Sequence, residues 1–473
     1  MAATPPRLDD EARRAFVEEA TGRAVTDIIR RPGGGRRQGY EVHLDGGERC
    51  FLRYDPSPLQ PWDPYSLRRE AGVYRALTGS AVPVARVLGV HPEAQAVLLS
   101  HARGSAPFTA IGDVQVQRAL QDDLVDVLVA LHALDPGALD LPELGVVKTT
   151  AEHLADELDI WEALYANDAR PDPLLTAGFV WLRGTAPADG GRPSLVQGDT
   201  GPGNFLHEGG HITAVVDWEF AHFGDPMEDL AWVSTRSVQE PLPDFGALLR
   251  DYETRGGRPV DAARVRYYRV LVELRIAVLG AQRLADRPRG GEVGNGLAFG
   301  QLHRKLLVEA LSDALGVDVP PLDEPDPPED EDDWLYEEAL DQLRKVVLPA
   351  VSDPFAQRRT KGVARLVKYC RANARWRDAI RTRTAADLAA FLGADGADDA
   401  DDADRAGGAT PEQLEQLEQL ETELDRRLRT GAVAVAAALP VLARKVQREV
   451  ARSADVMGVL ARRGFDPIGT PAG

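Results

Sequence analysis

Apolar and polar residues alternate in VTDIIRR, YEVHL and RCFLRY, and Gly33-Gly34-Gly35 and Asp45-Gly46-Gly47 separate the three runs. Period-two alternation between glycine-rich turns predicts strands joined as hairpins. A short helix is expected before them, from Asp9 to Thr21, and two more strands are expected within residues 82–104. Between these strand signals, LRREAGVYRAL reads as a helix with Leu67, Val73, Tyr74 and Leu77 available for packing. Beyond about residue 105 the period changes. Leu120, Leu124, Val127, Leu128 and Leu131 recur at helical spacing, residues 151–182 carry two helical patterns, and residues 256–315 carry two more. Inside this helical stretch, SLV reads as a short strand. FLH and HITAVV read as a hairpin around Glu208-Gly209-Gly210. Asp225-Pro226-Met227-Glu228 opens a helix, with Asp as cap, Pro in the first turn and Glu in a capping-box position.

The C-terminal third has a different texture. Pro320 to Asp333, PPLDEPDPPEDEDD, is rich in proline and acid and reads as an extended linker. WLYEEALDQLRKVVLPAV and TKGVARLVKYCRANARW predict helices, and ADGADDADDADRAGGA predicts a flexible loop. Thr410-Pro411-Glu412-Gln413 then opens a helix with Leu414, Leu417, Leu420, Leu424 and Leu428 on one face, and a last helix runs from about Ala432 to Arg463. The EQL repeat is short, so an intramolecular bundle is expected rather than a coiled coil. No clustered His, Cys or paired acids mark chemistry here. The roles open to these helices are dimerisation, docking to a partner enzyme, or covering a substrate site.

A chain of 473 residues is long enough for two or three domains. Its net charge of −20 argues against a general nucleic-acid or acidic-membrane binder, because phosphate-rich surfaces repel it. Cys50 and Cys370 are the only two cysteines, which excludes a disulfide framework and a cysteine-built zinc site. No apolar run approaches a membrane span, and MAATPPRLDDEARRAF lacks the apolar core of a signal peptide. A soluble, cytoplasmic protein is the expectation.

The chemistry concentrates in LVQGDTGPGNFLHEGGHITAVVDWEFAHFGDPMEDLAW, residues 195–232. Asp199 is followed five residues later by Asn204, and a hairpin leads to Asp217. A D-x-x-x-x-N loop followed by a metal-binding Asp is what phosphoryl transfer requires. Asp199 can accept the proton of a substrate hydroxyl, while Asn204 and Asp217 can hold Mg2+ against nucleotide phosphates. Gly34 and Gly35 could let backbone amides approach a phosphate, and a plain hairpin turn is the equal alternative. No Gly-Lys-Ser/Thr follows them, so this is not a Walker A loop.

This order and spacing, with the Gly224-Asp225-Pro226…Asp229 tail, resembles the aminoglycoside phosphotransferase and choline kinase family. DWEFAHFGDPMEDLAW is most similar in wording to the kinase domains joined to acyl-CoA dehydrogenases. The resemblance covers roughly the first two thirds of the chain. It implies an α+β, bilobal protein-kinase-like fold: a small β-rich nucleotide-binding lobe over residues 1–104 and a helical catalytic lobe over 105–319. The linker at 320–333 and an all-α C-terminal domain at 334–473 follow.

Residue by residue, the resemblance implies Arg53 as the phosphate anchor, where lysine is usual, paired with Glu70. It implies an adenine-binding hinge around Ser100 and Ala102, and a structural brace at Asp229. Gln197 stands where the family has histidine, in a supporting role, with Glu219 as an acid behind the metal ligands. His132 is expected to pack near the catalytic loop, and Trp232 and Arg236 are candidates to face the substrate. The activity implied is ATP- and Mg2+-dependent phosphorylation of a small-molecule hydroxyl, with GTP not excluded. A hydroxyacyl-CoA or another hydroxylated metabolite is the first substrate class, and an aminoglycoside the second. The reading from another class is a pseudokinase-like binding module. Gln197 and Arg53 favour it, and the intact Asp199, Asn204 and Asp217 oppose it.

Overall fold

In the computed structural model, which describes residues 8–31, 37–57, 64–166, 171–188, 191–256, 258–285, 292–393 and 411–468, the N-terminal runs form the expected sheet. Its strands are β1 (Val25–Arg31), β2 (Gln38–Leu44), β3 (Arg49–Tyr54), β4 (Val87–Val90) and β5 (Ala96–Ser100), in the order β1-β2-β3-β5-β4 with every neighbour antiparallel. Gly34, Gly35 and the ADGADDADDADRAGGA segment lie outside the described residues. Helix α1 (Asp10–Thr21) precedes the sheet, and α2 (Leu67–Leu77), capped by the Ser66 hydroxyl, follows β3.

The strand period sorts the side chains of this sheet. Cys50, Leu52 and Tyr54 of β3 join Ala96 and Leu98 of β5 in one buried cluster with Phe16 and Val17 of α1. Val97 and Leu99 of β5 point into a second cluster with Leu67, Val73, Tyr74 and Leu77 of α2. β5 is therefore apolar on both faces. The same alternation turns Arg53 away from Leu52 and Tyr54, so it meets Glu70 on α2. Burial of each such aliphatic side chain contributes about 1.5–3 kcal/mol, enough to fix the register that presents Arg53.

The helical stretch follows in order: α3 (Val114–Ala133), α4 (Thr150–Ala166), α5 (Pro173–Gly184), α6 (Pro226–Gln239), α7 (Phe245–Gly256), α8 (Ala262–Ala285) and α9 (Val293–Leu315). Between α5 and α6, β6 (Ser194–Val196) pairs with β9 (His222–Gly224), and β7 (Phe205–Glu208) forms the expected hairpin with β8 (His211–Val215). The C-terminal region is helical, as expected. Helix α10 (Asp333–Gln342) continues through a π-type turn (Leu343–Val347) into α11 (Leu348–Ala350), followed by α12 (Pro354–Leu392), α13 (Pro411–Arg429) and α14 (Val435–Met457). Leu420, Leu424 and Leu428 of α13 are buried. The stretch expected as one last helix to Arg463 ends its α-helical part at Met457, where Gly458 takes over with φ 60°. No helix among the described residues is long and apolar enough to cross a membrane.

The chain divides into two compact units. One comprises Met1–Glu157, Pro187–Tyr268 and Phe465–Gly473, and holds all three described sheets and the 197–219 loop. The other comprises Leu158–Ala186 and Arg269–Gly464, so α5 and α9 belong with the C-terminal helices. Within this second unit the acidic stretch after α9 is pinned by arginines. Arg448 Nε donates to both Glu324 oxygens at 3.2 and 2.9 Å, and Arg375 Nε donates to the Pro327 carbonyl at 2.6 Å.

Candidate active site

Strand β6 ends at Val196 and the chain turns sharply through Gln197-Gly198-Asp199. Gly198 has φ 77°, and an added Cβ there would lie 2.5 Å from the Phe220 carbonyl oxygen, so only glycine fits. Asp229, in the first turn of α6, holds this turn from behind. Its Oδ2 accepts from the Gln197 backbone N–H at 3.0 Å, and its Oδ1 from the Gly198 N–H at 3.0 Å and the Thr200 hydroxyl at 2.7 Å. His132 Nε2 lies 3.0 Å from Asp229 Oδ2, while its Nδ1 lies 2.8 Å from the Tyr252 hydroxyl. Both imidazole nitrogens are thus engaged in the interior.

Gln197 links the loop to the turn after β8. Its Nε2 donates to the carbonyls of Val216 at 3.0 Å and Asp217 at 2.8 Å. Its Oε1 accepts from the Asp199 N–H at 2.8 Å and lies 3.0 Å from the Thr200 hydroxyl oxygen, whose one hydrogen has Asp229 as its closer acceptor. The amide therefore donates two bonds and accepts one. The Val216 N–H donates 2.9 Å to the Asn204 carbonyl, and Asn204 Nδ2 donates to Asp199 Oδ2 at 2.6 Å. These bonds bring Asp199, Asn204 and Asp217 together. Asp217 adopts φ 64°, the one described non-glycine residue with positive φ.

Arginines complete the cluster. Arg53 Nη2 donates to Asp217 Oδ1 at 2.7 Å, and its Nη1 lies 3.4 Å from Glu70 Oε1. Arg37 Nη1 donates to Glu70 Oε2 at 2.7 Å and lies 3.0 Å from Glu219 Oε2. Arg236 grips Asp199 along one edge: Nε donates to Oδ1 at 2.8 Å and Nη2 donates to Oδ2. Three arginines thus meet four carboxylates within one partly buried patch. Burial pushes Asp199 up to about 6 against the pull of Arg236. It also raises Glu70 against Arg53 and Arg37. Burial acts on Asp217 too, but the Arg53 guanidinium outweighs it and holds that carboxyl below its ordinary value.

The other expected positions fall as follows. Ser100 ends β5, where its hydroxyl accepts from the Arg86 N–H at 2.9 Å. Ala102 lies in the following coil, and its backbone makes no hydrogen bond among the described residues. That coil is anchored at Gly104, whose φ of 109° and 2.5 Å approach of an added Cβ to the His207 carbonyl exclude other residues. Trp232 is buried and stacks on Phe220 with ring centroids 6.4 Å apart. Arg37 carried no sequence signal, since an arginine beside a glycine turn reads as exposed charge. Arg236 carried one: it lies seven residues after Asp229 on α6, two turns along the same face.

Asn204 Oδ1 and Asp217 Oδ2 accept no hydrogen bond from the described residues. Two such free oxygens, one amide and one carboxylate, are the donor type a small hard cation takes with water and phosphate oxygens. Among the described residues no three His, Cys, Asp or Glu side chains converge as a self-sufficient metal cluster.

A family model described as "Phosphotransferase enzyme family" matches residues 27–269. The chain is 28% identical over 204 residues to acyl-CoA dehydrogenase family member 11 of Rattus norvegicus, covering 40% of this chain and 26% of that protein. It is 25% identical over 224 residues to acyl-CoA dehydrogenase family member 10 of Mus musculus, covering 45% of this chain and 20% of that one. The chain thus spans about a quarter or less of the length of these curated relatives. Among solved structures, a putative aminoglycoside phosphotransferase from Ralstonia eutropha JMP134 aligns with a TM-score of 0.51 at 21% identity. That alignment covers 66% of this chain and 100% of the other, and it supports the fold.

Proposed function

The chain belongs to the phosphotransferase enzyme family, and from that premise we propose that it moves the γ-phosphate of ATP, with Mg2+, to a hydroxyl of a small molecule. The observation that carries this reading is the convergence of Asp199, Asn204 and Asp217, with Asn204 Oδ1 and Asp217 Oδ2 free of protein donors. Asn204 and Asp217 would hold Mg2+, which supplies neutralisation of phosphate charge when bound. Asp199 orients the acceptor hydroxyl and takes its proton, and Asn204 Nδ2 keeps that carboxylate turned inward. Arg53 anchors nucleotide phosphate and Glu70 aims it, with Arg37 sharing the Glu70 carboxylate. Gln197 and Asp229 keep the loop from moving. Adenine is read along the Ser100–Ala102 backbone, and GTP is the second nucleotide to try. A hydroxyacyl-CoA or related hydroxylated metabolite is our first acceptor class, ahead of an aminoglycoside.

Thermal stabilisation by ATP and by GTP, with and without Mg2+, tests the reading on wild type and Asp217→Ala, followed by a phosphorylation screen of hydroxylated metabolites with Asp199→Ala. The expected result is stabilisation that needs both metal and Asp217. Asp199→Ala should bind nucleotide but transfer phosphate about 10²- to 10⁴-fold more slowly. Transfer at an unchanged rate in either variant would sink these roles. The scaffold reading has one observation in its favour, since Arg236 and Asn204 already occupy Asp199. It gains the ground if neither nucleotide stabilises the protein.

A further inference from the structure

The acceptor side of the site has its own geometric signature in Arg236. A guanidinium carries five N–H groups in one plane, arranged as two usable edges. The side-on edge, Nε with one Nη2 hydrogen, is taken by Asp199. The end-on edge, Nη1 with the other Nη2 hydrogen, donates to no described residue. The Arg236 side chain keeps 21% of its surface exposed, whereas the unpaired Nε atoms of Arg37 and Arg53 are sealed in. The loop is shaped around this side chain: an added Cβ at Gly201 would lie 2.7 Å from Arg236 Cβ, and one at Gly203 would lie 3.7 Å from Nη1. Residues 198–204 hold no cation of their own. An open planar donor fork therefore stands beside the carboxylate that would meet the attacking hydroxyl.

We propose that Arg236 is a specificity-determining residue and that the acceptor is a hydroxy acid, its carboxylate seated on the end-on edge while its hydroxyl meets Asp199. This rests on the phosphotransferase reading and, within it, sets a free hydroxy acid ahead of a hydroxyacyl-CoA, whose acyl carbon is a neutral thioester without a carboxylate. A carboxylate matches the fork with two parallel charge-assisted bonds, a match that a neutral alcohol lacks and an ammonium opposes. The Glu240 carboxylate, at the C-cap of α6, also acts on Arg236. Its Oε2, however, is held by the N–H groups of Phe108 at 2.6 Å and Thr109 at 2.9 Å, and its Oε1 faces Gly203 without a hydrogen bond to Nη1.

The test uses short- and medium-chain hydroxy acids with matched diols and amino alcohols, on wild type, Arg236→Lys and Arg236→Gln. Phosphorylation is measured with Mg·ATP, and binding is measured separately by calorimetry with a non-hydrolysable ATP analogue present. Wild type should prefer a hydroxy acid over its diol by about 10- to 100-fold in kcat/KM, the worth of a charge-assisted hydrogen-bond pair, with the amino alcohol last. Arg236→Lys keeps the charge without the fork and should lose most of that preference. Arg236→Gln should abolish it, chiefly through KM, and should lose hydroxy-acid binding in the calorimeter. Nucleotide stabilisation of each variant reports that it is folded. A wild-type preference for diols or amino alcohols overturns the proposal, as does a hydroxy-acid preference that survives Arg236→Gln. So does absence of hydroxy-acid binding in a protein that binds nucleotide. Hydroxy-acid binding that depends on Arg236 without any phosphoryl transfer leaves this site standing and removes the phosphotransferase reading instead.

Discussion

In the unit that contains α5, α9 and the C-terminal helices, Arg304 reaches Asp172 and lies 3.4 Å from Glu449, and Lys445 reaches Glu421. Arg448 meets Glu324 and, at 2.6 Å, Asp387. In the unit that contains the 197–219 loop, Arg37, Arg53 and Arg236 meet Glu70, Asp199, Asp217 and Glu219 at similar distances. The inventories look alike, but the electrostatics do not. Burial raises Asp172 and Glu449, yet Arg304 and Lys445 more than compensate and leave both carboxyls below their ordinary values. The Arg448 hydrogen bond lowers Glu324 likewise. Burial wins at Asp199 and Glu70, and both are raised. Asp172, Arg304, Glu421 and Lys445 of the first set line a cavity of about 10 Å³, room for a single water. The second retains free oxygens on Asn204 and Asp217 and a free edge on Arg236. A saturated ion network is a staple, and one left short of partners is ready for a ligand.

Removing a partner from the saturated set should turn it into the other kind at a cost in stability. Arg304→Ala leaves Asp172 and Glu449 without their main cation and should destabilise the protein by about 3–5 kcal/mol, read by urea unfolding. A loss under 1 kcal/mol would mean the network is not saturated, and the contrast with the loop would fail. In the unsaturated set, a shorter cation should do the reverse. Arg53→Lys is expected to release Asp217 Oδ1 and to tighten Mn2+ binding without nucleotide by about tenfold, one charge-assisted hydrogen bond. Paramagnetic titration of free Mn2+ reads this, and unchanged affinity would show that Arg53 does not compete for Asp217.

The smallest effect concerns a saturated carboxylate within the first unit. Glu41 is raised by burial, but hydrogen bonds from Arg31, His43 and Arg49 bring it from 4.5 to about 2. A carboxyl whose pKa falls on folding stabilises the protein above its unfolded pKa and loses that contribution as pH falls toward the folded value. Glu41→Gln should therefore cost about 0.5–1 kcal/mol at neutral pH, as for ion pairs with exposed partners. That difference should fade between about pH 4.5 and 2 in paired urea melts. A difference independent of pH would assign the loss to packing.

How much of this was legible follows from where each signal is stored. The hairpins of β1–β3 and β7–β8 are local, because alternation and glycine turns lie within a few residues of each other. The loop-hairpin-Asp order of Asp199, Asn204 and Asp217 was legible for the same reason. Arg37 and Arg236 were not assigned to partners, since their carboxylates stand 33 and 37 residues away. Charge alone does not say which arginine will be buried. Helix α6 held a usable hint, because Asp229, Arg236 and Glu240 follow one face toward the loop. Gln197 illustrates a further limit: a glutamine in a histidine's place reads as a loss, while its amide makes three bonds that no pattern of types announces.

The backbone at Asp217 has a consequence for how this sequence changes over time. A left-handed conformation at φ 64° costs an ordinary L-residue about 1–2 kcal/mol, and glycine escapes that cost. Selection for folding alone would favour glycine or asparagine there, while the proposed metal role would hold the carboxylate in place. In a duplicated copy freed from its chemical task, this position would be among the first to drift, easing the backbone while Arg53 loses a partner. The residue at 217 thus serves as a running record of whether the site is in use.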